Sequence, residues 1–128
     1  MKRLTTHKAA KDMSMMELAF NCCFGKDGAA WYRDFETEID ARYLTMRLLR
    51  DLADEDAAFT CPEDFDDFMC DTLIEGFTSV RGLIAVFYRN LWAMAELHER
   101  LAAYEDQEET REIRRRITEG NFFGLKHE

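Results

Sequence analysis

The stretch LIEGFTSVRGLIAVFYRNLWAMAELHERLAAY, residues 73–104, decides the predicted fold. Its apolar residues recur at alternating steps of four and three, which is the spacing of one face of a helix. This seam consists of Leu73, Phe77, Val80, Ile84, Phe87, Leu91, Met94, His98 and Leu101. Further apolar residues beside the seam widen it, and a wide apolar face is typical of a helix packed in a globular bundle.

A break in this long helix is expected at residues 76–79. An unbroken helix over residues 62–106 would be about 65 Å long, whereas a compact chain of this size has a radius of gyration of only about 14 Å. Gly76 weakens a helix, and Thr78 and Ser79 are residue types that begin one. The continuous phase of the seam favours an unbroken helix, but we expect the break.

Two capping boxes predict where other helices begin. Ser14 is followed three residues later by Glu17, and Thr60 is followed by Glu63. Pro62 suits the first turn of the second of these helices, because first-turn amides have no partner in a helix. The helix that begins at Ser14 is expected to end at Gly25.

Between these two boxes a further helix is expected over about residues 33–53, where Phe35, Ile39, Tyr43 and Met46 form an apolar stripe. Residues 105–109 are predicted to be an acidic hinge that leads to a short last helix ending at Gly120. Residues 1–12 form a basic lead-in, and residues 121–128 form an apolar tail expected to dock on the body.

With no alternating strand pattern, the sequence predicts one all-α domain over residues 1–128, a compact bundle of about five helices with one long central helix.

Composition excludes several classes of protein. The chain has 128 residues, of which 47% are hydrophobic, so it is not a disordered acidic tail. No apolar run approaches the roughly 20 residues that span a bilayer, and the basic start lacks the apolar region of a secretory signal. The four cysteines, Cys22, Cys23, Cys61 and Cys70, lack the spacing of a zinc site and are expected to be free thiols. We therefore expect a cytoplasmic protein without a metal or cofactor.

The net charge of -9 is concentrated in one part of the chain. Residues 51–80 contain ten acidic residues and no basic residue, whereas residues 1–50 carry a net charge of +2 and residues 81–128 a net charge of -1. Essentially all of the net charge therefore comes from the block between Asp51 and Glu75.

Part of this block forms a predicted helical stripe. Acidic residues recur every four positions at Glu63, Asp67, Asp71 and Glu75, with about 6 Å of axial rise between neighbours. Like charges at this spacing destabilise a helix by about 0.2–0.5 kcal/mol per pair, so helix stability does not explain them. A partner with a groove lined by Lys and Arg, as in nucleic-acid-binding proteins, would be attracted to such a stripe. The predicted partner-binding residues are Asp54, Glu55, Asp56, Glu63, Asp64, Asp67, Asp71 and Glu75.

Two other interpretations of the acidic block stay open. The carboxylates are either a solvated face, paired in part with arginines from neighbouring helices, or ligands of a metal ion. The pattern of a calcium-binding loop is absent, because Asp54 and Asp56 are followed by Ala57 and Ala58.

Signals of catalysis are weak. The chain contains no phosphate-binding loop, no H-E-x-x-H and no G-x-S-x-G. His98 lies on the apolar seam, where a histidine that hydrogen-bonds between helices is expected, and Trp31 and Tyr32 are expected to pack beneath a loop. Cys22 and Cys23 lie near Lys26, which would favour a thiolate, although their helical phase indicates that at least one is buried.

Direct binding of nucleic acid is also disfavoured. The arginines at positions 111–116 are interleaved with acidic residues, and a nucleic-acid footprint requires a local basic excess. The predicted class is therefore a binding protein rather than an enzyme or a nucleic-acid-binding domain.

Four segments together resemble short proteins encoded by phages and prophages of Gram-positive, often gut, bacteria. These segments are MKRLT, MSMMELAFNCC, KDGAAWYRDFETEIDAR and HERLAAYED. The chain departs from those proteins after RLAAYED, where it continues directly into QEETREIRRR. The resemblance implies a small acidic protein that inhibits a host protein without turnover, as anti-CRISPR proteins do when they occlude the nucleic-acid groove of an effector nuclease. It assigns no role to any individual residue.

The leading hypothesis is therefore a phage-type inhibitor that binds a host nucleic-acid-handling or defence enzyme through its acidic surface, as a mimic of nucleic acid. A first alternative is a helical oligomerisation module, a homodimer that pairs through the seam with His98 setting the register and that Leu91→Glu would disrupt. A second alternative is a metal- or thiol-dependent enzyme.

Overall fold

The computed structural model describes residues 2–56, 59 and 61–127, with side chains described up to residue 119. It contains helix α1 (Met15–Asn21), strands β1 (Cys23–Lys26), β2 (Ala29–Asp34) and β3 (Thr37–Asp40), and helices α2 (Ala41–Ala53), α3 (Pro62–Thr72) and α4 (Val80–His127). Short 3-10 helices cover Ala10–Asp12 and Leu73–Thr78. The strands form one antiparallel sheet in the order β1-β2-β3. The fold is therefore α+β, and the predicted all-α bundle of about five helices is wrong.

The sheet replaces the segments that were expected to end the first helix and begin the second. β1 and β2 are joined by the two residues Asp27 and Gly28, with Lys26 paired to Ala29. Both turn residues have positive φ, 53° and 72°, as a type I′ hairpin turn requires, and this turn matches the twist of the flanking strands. The helix from Ser14 consequently ends at Asn21, four residues before the predicted end.

A second two-residue turn, at Phe35 and Glu36, returns the chain into β3, and Phe35 has a φ of 46°. Phe35 was expected on the apolar stripe of the second helix but is 64% exposed in this turn. That helix, α2, begins only at Ala41, where the Asp40 carboxylate accepts a hydrogen bond from the backbone N–H of Tyr43. Residues 33–40 are therefore strand and turn, and the prediction of a helix from residue 33 is wrong.

Helix α4 is continuous over 48 residues, a length of about 72 Å at 1.5 Å per residue. Its inward face is buried at Ile84, Tyr88, Leu91 and Ala95, against which the sheet, α2 and α3 pack. The hinge predicted at residues 105–109 and the helix end predicted at Gly120 are both wrong. Residues 83–119 contain neither glycine nor proline, so the backbone meets no helix breaker.

The predicted break near residues 76–79 is confirmed. The 3-10 helix Leu73–Thr78 separates α3 from α4, and Gly76 within it has the non-helical angles φ 52° and ψ -128°. The break packs tightly on α4, because a Cβ atom at Gly82 would lie 2.3 Å from the carbonyl oxygen of Gly76. The hydroxyl of Ser79 accepts a hydrogen bond from the backbone N–H of Gly82 at 3.0 Å and so caps the start of α4.

The expected basic lead-in begins with an ordered strap, residues 2–6, that lies along α4. The carboxylate of Glu105, which is only 2% exposed, accepts hydrogen bonds from the backbone N–H groups of Leu4 (2.7 Å) and Thr5 (3.0 Å). It also accepts one from the hydroxyl of Thr5 at 2.6 Å. A buried carboxylate without partners would be costly, so these donors tie the strap to α4.

Asn21 forms the second anchor of the strap. Its side-chain oxygen accepts a hydrogen bond from the backbone N–H of Thr6 and lies 2.9 Å from Nε2 of His98 on α4, while its amide group donates to the carbonyl oxygen of Leu4. Asn21 is fully buried. The prediction that His98 hydrogen-bonds between elements is confirmed.

We expect Glu105→Gln to lower the free energy of unfolding by about 2 kcal/mol at pH 7, because it weakens charge-assisted hydrogen bonds in a buried site. Burial raises the pKa of Glu105, but the hydrogen bonds from Thr5 and Leu4, together with the nearby Arg3 guanidinium, outweigh it and hold the pKa below its ordinary value. A carboxylate with a lowered folded-state pKa contributes its stability above the unfolded value, about 4.3, and loses it as pH falls through the folded-state pKa. Urea unfolding at neutral pH and at pH values below 4.3 measures the difference in free energy of unfolding between the wild type and Glu105→Gln. This difference should become smaller as the pH is lowered.

Glu109→Gln is the matched control. Glu109 also accepts from Arg3, at 2.9 Å, but its side chain is 44% exposed, so its loss should change stability much less. An equal decrease in the free energy of unfolding in the two variants would contradict the conclusion that Glu105 anchors the strap.

Candidate binding surface

The outward side of α3 carries several of the carboxylates that were predicted to bind a partner. Phe65, Met69 and Thr72 are buried, which leaves the opposite side of the helix in solvent. The exposed acidic residues of that side, here named the acidic face, are Glu63, Asp64, Asp67 and Asp71. Three of them recur at four-residue spacing with about 6 Å of rise per step, as predicted.

A polar and aromatic cluster on the inner side of α3 fixes the orientation of the acidic face. The guanidinium of Arg42 donates to both carboxylate oxygens of Asp66, at 3.2 and 2.8 Å, and lies 4.8 Å from the ring centre of Trp92. The hydroxyl of Tyr88 donates to the same carboxylate at 2.5 Å. Burial raises the pKa of Asp66, but Arg42 and Tyr88 outweigh it and lower the pKa. Asp66 therefore stays ionised and links α3 to α2 and α4.

Glu75 does not extend the stripe, because α3 ends at Thr72. Its carboxylate lies in the 3-10 break, where it accepts from Arg81 at 2.5 Å and from the hydroxyl of Ser79 at 2.7 Å. The hydrogen bonds from Arg81 and Ser79 hold the pKa of Glu75 below its ordinary value. Glu55 also approaches Arg81, at 3.7 Å. These two predicted partner-binding residues are therefore engaged within the chain.

Asp54 and Asp56 lie in the segment after α2 and are both exposed. Asp54 ends α2 in the left-handed conformation, with φ 52° and ψ 37°.

The predicted capping box of Thr60 and Glu63 lies partly outside the described residues, which do not include Thr60. Cys61 occupies the position before α3, and its thiol donates to the Glu63 carboxylate at 2.6 Å.

Among the described side chains, arginines from outside the acidic block form ion pairs with some of its carboxylates but not with those of the acidic face. Arg50 pairs with Asp51, Arg42 pairs with the partly buried Asp66, and Arg81 pairs with Glu75 in the break. Within the described part of the chain, no ion pair reaches Asp54, Asp56 or the acidic face. The interpretation of a face neutralised by neighbouring arginines therefore does not hold for the outer side of α3. The metal interpretation gains no support, since the residues that the structure describes contain no group of three or more potential ligands.

Apolar residues of α4 that were expected to pack inside a bundle instead form a stripe on the outward side of the helix. Ile84, Leu91 and His98 of the predicted seam face the interior, whereas Leu97 and Tyr104 are 60% and 55% exposed. This outer stripe consists of Leu83, Phe87, Asn90, Met94, Leu97, Leu101 and Tyr104, of which Met94 and Leu101 are half-buried. It shares Phe87, Met94 and Leu101 with the predicted seam, and the sequence did not show which side of the helix faces the core.

Comparison of the chain with protein-family models, with curated proteins and with solved structures finds no match. In the part of the chain that the structure describes, no helix has the length and apolar character needed to cross a bilayer.

Two substitutions should change stability in opposite directions. Asp67→Asn removes repulsion from Glu63 and Asp71 and should raise the free energy of unfolding by about 0.5 kcal/mol. Glu75→Gln removes the charge that pairs with Arg81 across the break and should lower it. Chemical denaturation of both variants at pH 7 measures the two signs, and a loss of stability in Asp67→Asn would show that the acidic face has a structural role.

Proposed function

We propose that the acidic face binds a host protein at a basic groove that otherwise holds nucleic acid, and blocks that groove without turnover. The observation that carries this proposal is the set of four exposed carboxylates on one side of α3 that no ion pair neutralises within the described residues. Such a surface attracts a Lys- and Arg-lined groove and accelerates the encounter.

The rigidity of α3 supports the same proposal. Asp66 is held by Arg42 and Tyr88 on the inner side of the helix, and Phe65 is fully buried beneath it. The backbone of α3 is thus held in place, so the spacing of the acidic face is set before binding and little backbone entropy would be lost on binding. Glu55 and Glu75 are left out of the proposed surface because Arg81 already engages them.

The kind of partner comes from the resemblance to phage and prophage proteins. We propose that the protein acts in the cytoplasm of a bacterial host as an inhibitor of an enzyme that handles nucleic acid, in the manner of an anti-CRISPR protein. A CRISPR effector nuclease is the partner to test first, because its channel for nucleic acid is positively charged.

We expect neutralisation of the acidic face to weaken partner binding at least about tenfold, equal to about 1.4 kcal/mol. The variant carries Glu63→Gln, Asp64→Asn, Asp67→Asn and Asp71→Asn. Binding is measured by capture from host lysate and then with the purified partner at low and high salt. The affinity of the wild type should fall steeply with salt, and nucleic acid should compete for the same partner.

A matched control neutralises four exposed acidic residues elsewhere: Asp12→Asn, Asp34→Asn, Glu36→Gln and Glu119→Gln. This control has the same net charge as the first variant and should bind as the wild type does. Binding that is independent of salt, or equal weakening in both variants, would contradict a role for the acidic face.

A homodimer is the second candidate function, and the outer stripe of α4 favours it. Exposed apolar residues at heptad spacing form the seam of paired helices, and Asn90 in the middle of the stripe is a polar residue of the kind that sets the register of such a pair. His98 does not have this role, because it is bound to Asn21 inside the same chain.

We expect Leu97→Glu to convert a dimer into a monomer of 15.1 kDa without loss of helix content, because Leu97 is 60% exposed in the single chain. Light scattering after size exclusion measures the mass. Ile113→Glu is the control, since Ile113 is also exposed (54%) but lies outside the stripe. Leu91→Glu does not test the dimer, because Leu91 is 2% exposed and its change would disrupt the core. A wild type that is monomeric at high concentration would rule out this function.

A further inference from the structure

Cys22 and Cys23 form a pair of neighbouring thiols at the junction of α1 and β1. Cys22 ends the helix with φ -73° and ψ -26°, and Cys23 is the first residue of the strand. Consecutive residues within a strand point to opposite faces, but the change from helix to strand brings these two sulfur atoms to 3.8 Å from each other. Both cysteines are free thiols.

The two sulfur atoms differ in their surroundings. Cys23 is 8% exposed and belongs to the hydrophobic core, where it pairs with Tyr32 across the hairpin. Cys22 is partly exposed and packs against that core. A reagent can therefore reach Cys22 from solvent, with Cys23 directly behind it.

The protonation of the pair favours attack by Cys22. The hydrogen bond from the Cys23 thiol, aided by backbone N–H groups, lowers the pKa of Cys22 to about 6. The same contact with Cys22, together with burial, raises the pKa of Cys23. The lowered pKa favours the thiolate form of Cys22, which is the nucleophilic form, while Cys23 stays a thiol.

The distance between the sulfur atoms allows both of them to bind one thiophilic centre. Two thiolates bound at about 2.3 Å to one atom lie at most about 4.6 Å apart, and the two sulfur atoms are 3.8 Å apart. A structural zinc ion requires four ligands, and the described residues contain no group of three or more His, Cys, Asp or Glu side chains that would supply them. A centre that needs only two protein thiolates fits the site.

We propose that Cys22 and Cys23 form a dithiol site for trivalent arsenic that carries one organic substituent. Such arsenic makes three bonds, so two thiolates and the substituent complete its valence without a third protein ligand. With an arsine oxide, two As–S bonds form and the As=O bond is lost, and the oxygen leaves as water. One of the protons in that water comes from Cys23, and the other comes from Cys22 or, when Cys22 is a thiolate, from solvent. No atom is oxidised or reduced.

Phenylarsine oxide is the probe, used with the full chain in buffer free of thiols. Intact mass spectrometry should show one arsenical per chain, and titration with a chromogenic disulfide should show the loss of two reactive thiols for each arsenical bound. An excess of a monothiol such as 2-mercaptoethanol should leave the adduct in place, whereas a small-molecule dithiol should remove it, because only a chelate resists a monothiol.

Cys22→Ser and Cys23→Ala should each abolish the monothiol-resistant adduct, and circular dichroism shows whether each variant keeps its fold. Cys23→Ala retains a small apolar side chain in the core. The control variant Cys61→Ser/Cys70→Ser should bind the arsenical as the wild type does. An adduct that a monothiol displaces, that consumes one thiol, or that survives in a folded Cys22→Ser variant would overturn the proposal.

Discussion

The inward face of α4 is the surface on which the sheet, α2 and α3 assemble, since each of them buries its apolar side against that one helix. Ile84, Tyr88, Leu91 and Ala95 supply this face, and full burial of a large apolar side chain stabilises a protein by about 1.5–3 kcal/mol. Because α3 buries Phe65 and Met69 on the side that packs on α4, its opposite side faces solvent. The exposure of the acidic face thus follows from the packing of α4.

Charge neutralisation divides the acidic block into two parts with different roles. Asp66 and Glu75 are held by arginines from outside the block and fix, respectively, the position of α3 and the break before α4. Asp67 and Asp71 lie on the outer side and repel each other along the helix. A protein selected only for stability would gain from replacing one of them, and this supports the proposal that the acidic face binds a partner.

Local signals in the sequence predicted local structure well. The capping box of Ser14 and Glu17 is present with both of its hydrogen bonds, and Pro62 lies in the first turn of α3. Gly76 marks the break. Three of the four exposed carboxylates of α3, Glu63, Asp67 and Asp71, were likewise predicted from their spacing, because the buried apolar side of a helix determines which residues face solvent.

The sheet was missed because its strands are short and lack regular alternation. β1 and β3 have only four residues each. The apolar residues from Phe35 to Met46 recur at helical spacing, although they lie in a turn, in β3 and in α2. An Asp-Gly pair such as Asp27-Gly28 is among the strongest short-range hairpin signals, but the short strands on either side of it show too little alternation to predict a sheet. The roles of Arg42 and Arg81 could not be predicted, since their carboxylate partners are distant in the sequence.

The attachment of the N-terminal strap to Glu105 also determines the order in which the protein acquires its structure during synthesis. The carboxylate that holds Leu4 and Thr5 is about 100 residues further along the chain, so the ribosome makes the strap about 100 residues before its docking site. The entropy of closing so long a loop is recovered only when α4 is already packed. The strap is therefore fixed in place only after α4 has packed, and until then the Glu105 carboxylate that it covers is exposed to solvent.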